Sequence, residues 1–371
     1  MRFNENLKNT KEVMAFLKCV PTVYVVDDHY QIILLTKLNG TVKIRVGDDE
    51  YFEDVCGVLS TEKNYFKINV DKYALDEAKS YTVIYQKTIE RKSYYPKLCE
   101  SEEKTFIFKP LSKKDDIKIF YTADVHYRFD LLKNLLNAAK IKADAYIFNG
   151  DIGELDSVKH IEEICKLTGA VSKGKFPVVF VRGNHDARGK FAEYYPRYFP
   201  TSASGKTYFT FNLGVLSGLA LDAGEDKLDS NKEYGGVNAF EPYRRGELNY
   251  LKSLNGLGGK IKFAVSHINF TCTNYENDPQ FLIEKDLYKS WNEEVERIGV
   301  KFMVCGHYHE LKYFAPYDKL SIIKQNYPVI SASALTDSEL WATVIEFNGD
   351  KITFTAVSDK GDKKQIAAIR I

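Results

Sequence analysis

Apolar residues in this chain change rhythm near residue 110. Between Thr22 and Lys109 they come in short β-branched and aromatic bursts, at 23–26, 31–35, 42–46, 65–70, 81–85 and 105–108. Polar turns such as Asn39-Gly40 and Gly47-Asp48-Asp49 separate the bursts. Six or seven strands within ~90 residues predict an antiparallel β-sandwich. Ahead of it, Leu7, Val13, Met14 and Leu17 fall near helical spacing, so 4–18 reads as a helix that Pro21 stops. Residues 110–116 are polar and carry Lys113-Lys114-Asp115-Asp116, the best linker in the chain. This divides the chain into 1–112, a helix plus a β-sandwich domain, and 113–371.

Past the linker the grammar becomes strand, helix, strand, helix, which predicts an α/β domain. Strands are expected at 117–122, 146–148, 177–182, 261–266 and 301–305, and helices at 129–140, 158–167, 247–254 and 281–297. A hairpin is expected around Asn212-Leu213-Gly214, and 329–333, 341–347 and 351–357 read as closing antiparallel strands.

Five of the apolar strands run into polar residues. The first leads to Asp124 and His126, the second to Asn149-Gly150-Asp151, and the third to Gly183-Asn184-His185-Asp186. The fourth leads to His267 and the fifth to Gly306-His307-Tyr308-His309. Ligands of open α/β sheets bind beyond the carboxyl ends of strands. Five of the seven histidines fall at these ends, and the other two, His29 and His160, read as surface residues. Imidazole mixed with carboxylate and amide oxygen, without thiolate, suits Mn, Fe, Zn or Ni better than Ca or Mg. One carboxylate has two oxygens, so Asp151 can bridge two ions.

Composition narrows the alternatives. A chain of 371 residues fits two or three domains, and 44% hydrophobic with 28% charged residues is ordinary for a globular protein. The net charge of +1 gives no bulk field for nucleic acid or an anionic membrane. Six scattered cysteines with no Cys-x-x-Cys read as free thiols of a reducing compartment. With no secretory leader pattern and no apolar run of membrane-spanning length, a cytoplasmic address is expected.

The strand-end residues resemble the calcineurin-like metallophosphoesterase family. The resemblance rests on Asp124-Val125-His126, Gly150-Asp151, Gly183-Asn184-His185-Asp186, His267 and Gly306-His307-Tyr308-His309, in the family's order over roughly 117–357. It implies a four-layer αββα catalytic sandwich. It also implies two divalent or trivalent transition metal ions, with Mn, Fe or Zn favoured. Asp124, His126, Asp151 and His309 would hold one ion, and Asp151, Asn184, His267 and His307 the other. A metal-bridging hydroxide would attack a phosphate ester while His185, itself no ligand, protonates the leaving oxygen, with Asp186 or Glu154 as its orienting carboxylate. The substrate would be a phosphorylated small molecule or nucleotide.

A β-sandwich ahead of such a domain looks like the fibronectin-III-like layout of purple acid phosphatases. His126 and Glu154 depart from that branch's pattern, which argues against a tyrosinate–iron site. Ile152-Gly153-Glu154 departs from the serine/threonine phosphatase branch, where Asp-Arg-Gly is expected after the Gly-Asp pair. Two other readings stand beside this one: a phosphodiesterase or nuclease, and a binding module with an inert metal site. Arg188, Arg244 and Arg245 read as solvated surface, and Tyr127 and Tyr308 as packing or pocket lining. The run 194–199 reads as a satellite core.

Overall fold

A computed structural model describes residues 15–111, 116–138, 140–272, 281 and 283–371. Two sheets face each other. The larger has 14 strands; across its middle run Leu340–Asn348, Ile117–Thr122, Ala145–Asn149, Val178–Val181, Thr22–Val26 and His29–Val46. The second has six, in the order Phe209–Leu213, Leu216–Leu221, Ile261–Ser266, Phe302–Cys305, Val329–Ser331 and Lys312–Phe314.

Strand alternation builds the layers. Ile117, Ile119 and Tyr121 join Phe263, Val265, Phe302 and Val304 in one core between the sheets. The rings of Phe302 and Phe354, centroids 5.3 Å apart, are part of that packing. The opposite face of the first sheet, with Phe120, Phe148 and Phe180, packs on helices Phe129–Ala138 and Val158–Ser172 through Leu132, Leu135, Ile161 and Ile164. Each of these buried aliphatic side chains stabilises by about 1.5–3 kcal/mol. The outer face of the second sheet carries Phe240–Ser253 and Lys285–Ile298, whose Leu251, Tyr288 and Trp291 bury against Leu219, Ala264 and Met303. The result is the expected four layers, αββα.

The parallel strands Ile117–Thr122, Ala145–Asn149 and Val178–Val181 end on one side of the first sheet. Leu216–Leu221, Ile261–Ser266, Phe302–Cys305 and Val329–Ser331 are likewise parallel in the second. Their carboxyl ends meet at the candidate site.

The strands expected near the amino terminus form, but they join the same large sheet. Thr22–Val26 runs parallel to Val178–Val181, with Tyr24 opposite Val178. His29–Val46 is one strand of 18 residues. Its first half pairs with Thr22–Val26 and Lys63–Asp71, and its second with Asp49–Phe52 and Ser80–Glu90. Asn39-Gly40, expected as a turn, therefore lies inside a strand. The register shifts between Leu35 and Gly40, and a Cβ on Gly40 would sit 2.6 Å from the Tyr85 ring. Glycine is there for close approach.

Other expectations shift as well. Residues 15–18 are not helical, because Leu17 bridges Thr36 in extended conformation; the rest of the 4–18 helix falls outside the described residues. Val329–Ser331 does not close the first sheet but joins the second beside Phe302–Cys305. The helix expected from 247 begins at Phe240, and the one expected from 281 begins at Lys285. Elements beyond those expected include the helix Lys72–Ala78, capped by Asp71, and the strands Asp49–Phe52, Lys312–Phe314 and Lys363–Arg370. At the linker, Phe108 and Leu111 are buried and Lys109 N donates to Lys175 O, while 112–115 lie outside the described residues.

Candidate metal centre

All seven residues expected as ligands meet at the strand ends. His267 Nε2 lies 3.1 Å from Asp151 Oδ2 and 3.7 Å from Asp124 Oδ1. His309 Nε2 lies 3.6 Å from Asp124 Oδ1 and 3.2 Å from His126 Nε2, which is 3.8 Å from Asp151 Oδ2. Three groups have ligand atoms within 4.8 Å of one another: Asp124, His126 and His309; Asp124, Asp151 and His267; and His126, Asp151 and His185.

The backbone is bent to achieve this. Asp124, His126, Asp151, His307 and His309 all have positive φ, between 42° and 71°. That region disfavours side chains with a Cβ, and such strain clusters at functional sites. Glycine solves the tightest approaches: a Cβ on Gly150 would sit 2.7 Å from His267 Nδ1, and one on Gly183 would overlap Asp151 Oδ1. Backbone donors steady the carboxylates. His307 N donates to both oxygens of Asp124, at 2.9 and 3.0 Å, and His185 N donates to Asp151 Oδ1 at 2.9 Å.

The donor set fits cations. His267 Nδ1 donates to Asn149 O at 2.7 Å, which turns Nε2 toward the carboxylates. The inner end of the Asn184 amide lies 3.2 Å from His307 Nδ1. The same end is also 3.1 Å from His267 Nε2 and 3.3 Å from Asp151 Oδ2. With no cation bound, hydrogen bonding favours the nitrogen at this inner end, donating toward His307 Nδ1 and Asp151 Oδ2, and the oxygen at the outer end, accepting from Arg188 Nη2. A cation at this place would take the amide oxygen instead, so Asn184 joins the donor set by turning its amide over.

Charge gives the same result. Burial lowers His126 to about 4 and His307 to about 3, so both imidazoles offer free lone pairs at neutral pH. Burial alone would also lower His267, but the Asp151 and Asp124 carboxylates outweigh it and push it up to about 10. Burial lifts Asp124 to about 6. It would lift Asp151 too, yet His267 and its neighbouring imidazoles hold that carboxyl below its ordinary value. The pocket therefore calls for positive charge, and in the free protein a proton on His267 supplies part of it.

His185 stands at the edge of the cluster, its ring edge-on to His126 at 4.7 Å. Neither expected carboxylate touches its ring among the described residues. Asp186 instead accepts from Gly183 N at 2.8 Å and Asp151 N at 3.2 Å, bracing the turn. Glu154 offers its backbone oxygen to the Tyr127 hydroxyl. The neighbour of His185 is Arg188, whose Nη1 lies 3.2 Å from Nε2.

Of the three arginines expected as solvated surface, two depart from that role. Arg188 is only partly exposed and forms a two-bonded pair with Glu225 at 2.7 Å each. Arg244 is fully buried, donating to Ala223 O, Glu225 O and Glu284. Arg245 is exposed as expected. Tyr127 packs on Phe129 and His160, and Tyr308 on Phe314. Tyr195 and Phe199 are core residues, and His29 and His160 stand away from the cluster. All six cysteines are free, four of them buried.

Glu225 and Asp226 were missed by the sequence reading; Asp226 Oδ2 lies 3.8 Å from His307 Nε2. A signal existed. The apolar strand Leu216–Leu221 also runs into acidic residues, Asp222, Glu225 and Asp226.

Comparison with known proteins agrees with this architecture. A purple acid phosphatase, PPD1 from yellow lupin (Lupinus luteus) seeds, aligns over 93% of this chain and 73% of its own, with TM-score 0.62 and 9% identity. The structure of PhoD aligns over 95% of this chain and 92% of its own, with TM-score 0.53 and 10% identity. At such identity the likeness is one of fold. Its coverage takes in the amino-terminal strands as well as the catalytic half. No curated protein matches the sequence. Among the described residues no helix is long and apolar enough to cross a membrane. The family model for calcineurin-like phosphoesterases matches residues 117–311, more than half of the chain and every strand end of the cluster, so the chain belongs to that family and is a metal-dependent phosphoesterase.

Proposed function

We propose that the cluster holds two transition metal ions, Mn, Fe or Zn, and hydrolyses phosphate esters with His185 as general acid. Asp124, His126, Asp151 and His309 hold one ion, and Asp151, Asn184, His267 and His307 the other. The observation that carries this reading is the convergence of His and Asp ligand atoms in three overlapping groups, each within 4.8 Å, with Asp124 and Asp151 each shared between two of them. When bound, the ions supply an activated water and neutralise charge on the phosphoryl oxygens.

The chain's own residues do the rest. Asp151 reaches both groups with one carboxylate, and its Oδ1 is fixed by His185 N. His185 is half-buried, and burial lowers its basicity, as does Arg188. It must therefore take up a proton as an anionic substrate arrives, and can then release it to the leaving oxygen. All the proposed ligands lie in 113–371, and the amino-terminal strands support this half through the sheet and core they share with it.

The test is bound-metal analysis of the purified protein, with p-nitrophenyl phosphate assayed beside its bis-ester. Transition metal near two equivalents and Mn-stimulated turnover are expected. Absence of both would leave the inert-site reading.

A further inference from the structure

We propose that Arg188 is a specificity-determining residue: it binds a phosphoryl oxygen of the substrate and makes the site select dianionic phosphate monoesters over monoanionic diesters. This rests on the phosphoesterase reading above and narrows it to a substrate class.

The geometry assigns each edge of the guanidinium. Its Nε–Nη2 edge is spent on Glu225, with Nε to Oε1 and Nη2 to Oε2 both at 2.7 Å. Its Nη1–Nη2 end faces the cluster. Nη1 lies 3.2 Å from His185 Nε2, and Nη2 lies 3.2 Å from the outer end of the Asn184 amide.

In the metal-free protein that end is best satisfied as the oxygen, accepting from Arg188 Nη2, but an amide turned to give its oxygen to a cation puts its nitrogen there. The cation-holding orientation of Asn184 therefore sets amide N–H groups against guanidinium N–H groups with no acceptor between them. A buried donor without a partner is costly. A phosphoryl oxygen placed there accepts from both, beside the imidazole that is proposed to protonate the leaving group.

Arg188 is held in readiness from behind. Glu225 is 1% exposed and also accepts from the Tyr234 hydroxyl at 3.2 Å. The Glu225 backbone oxygen is gripped by fully buried Arg244, which is tied in turn to Glu284. The guanidinium thus meets its ligand with little ordering left to do. The Arg188 side chain is still 35% exposed, so a solute can reach it. A fixed cation at this place attracts a dianion more strongly than a monoanion. A lysine could carry the charge but could not hold Glu225 with one edge and the substrate with another.

The experiment uses the full chain loaded with Mn at pH 8. Binding of inorganic phosphate and of dimethyl phosphate is measured by calorimetry, and kcat/KM for p-nitrophenyl phosphate and bis(p-nitrophenyl) phosphate, in wild type, R188A and R188K. Bound Mn is quantified throughout. R188A is expected to keep its metal, to lose about 10–100-fold in phosphate affinity and monoester kcat/KM, and to lose clearly less on the diesters, so that the monoester-to-diester ratio falls. R188K should recover only part of the loss. If R188A does not fold, R188Q takes its place.

An unchanged monoester-to-diester ratio with metal retained would overturn the assignment, while turnover by the wild type would still support the hydrolase reading. Wild type that turns over neither ester, yet binds phosphate through Arg188, would instead overturn the hydrolase reading and keep the assignment.

Discussion

The two ends of the ligand cluster differ in their access to water. At the inner end His267 and Asn184 are each 2% exposed, and His267 is pinned through Nδ1 to a strand carbonyl. At the outer end the His309 side chain is 43% exposed, and its polar neighbours are His126 and Asp124. The same ligand chemistry thus sits on two supports, one a part of the core and one on the rim. This predicts an inner ion that is structural as well as chemical, and an outer ion that exchanges.

The strongest way to break the comparison is to remove what the ends share. Asp151→Asn should lose metal from both and lower kcat/KM by at least about 10³-fold. Full metal occupancy in that variant, read by elemental analysis, would end its bridging role. Next comes His185→Asn, which should keep both ions and lose roughly 10²–10⁴ in kcat; loss of metal would make His185 a ligand.

The comparison itself is sharpened by His267→Ala against His309→Ala. The first leaves two buried carboxylates without their imidazole and should cost about 3–5 kcal/mol in the metal-free protein. The second should change stability by only about 0.5 kcal/mol. Equal shifts in Tm would show that the inner end is not part of the core. The smallest effect is kinetic. On dilution into chelator, one equivalent of metal should leave several-fold faster than the other, and His309→Ala should speed only that phase.

Much of the centre was legible because its residues sit at a repeated place. Each proposed ligand follows an apolar strand, and polar side chains at such ends have few structural uses. Their pooling needed only the parallel order of strands. The Arg188–Glu225 pair was not legible, since 37 residues and a change of sheet separate its members. Arg244 was misjudged for the same reason: its partners Ala223, Glu225 and Glu284 come from segments that only the tertiary fold brings together. Asn39-Gly40 has the local chemistry of a turn, but pairing with the strand Ser80–Glu90 overrides it. The edge strand Lys363–Arg370 begins Lys363-Lys364-Gln365, with too little apolar alternation to stand out.

The pairing of Tyr24 with Val178 reaches further than the register of one sheet. The strand that leads into Asn184 has the amino-terminal segment as its flank. A truncated form starting after the linker would expose that flank as a bare edge, free to pair with another copy of itself. Such a fragment would keep every proposed ligand and still be prone to aggregate, so deletions of the first hundred residues would register as loss of soluble enzyme before any change in its chemistry.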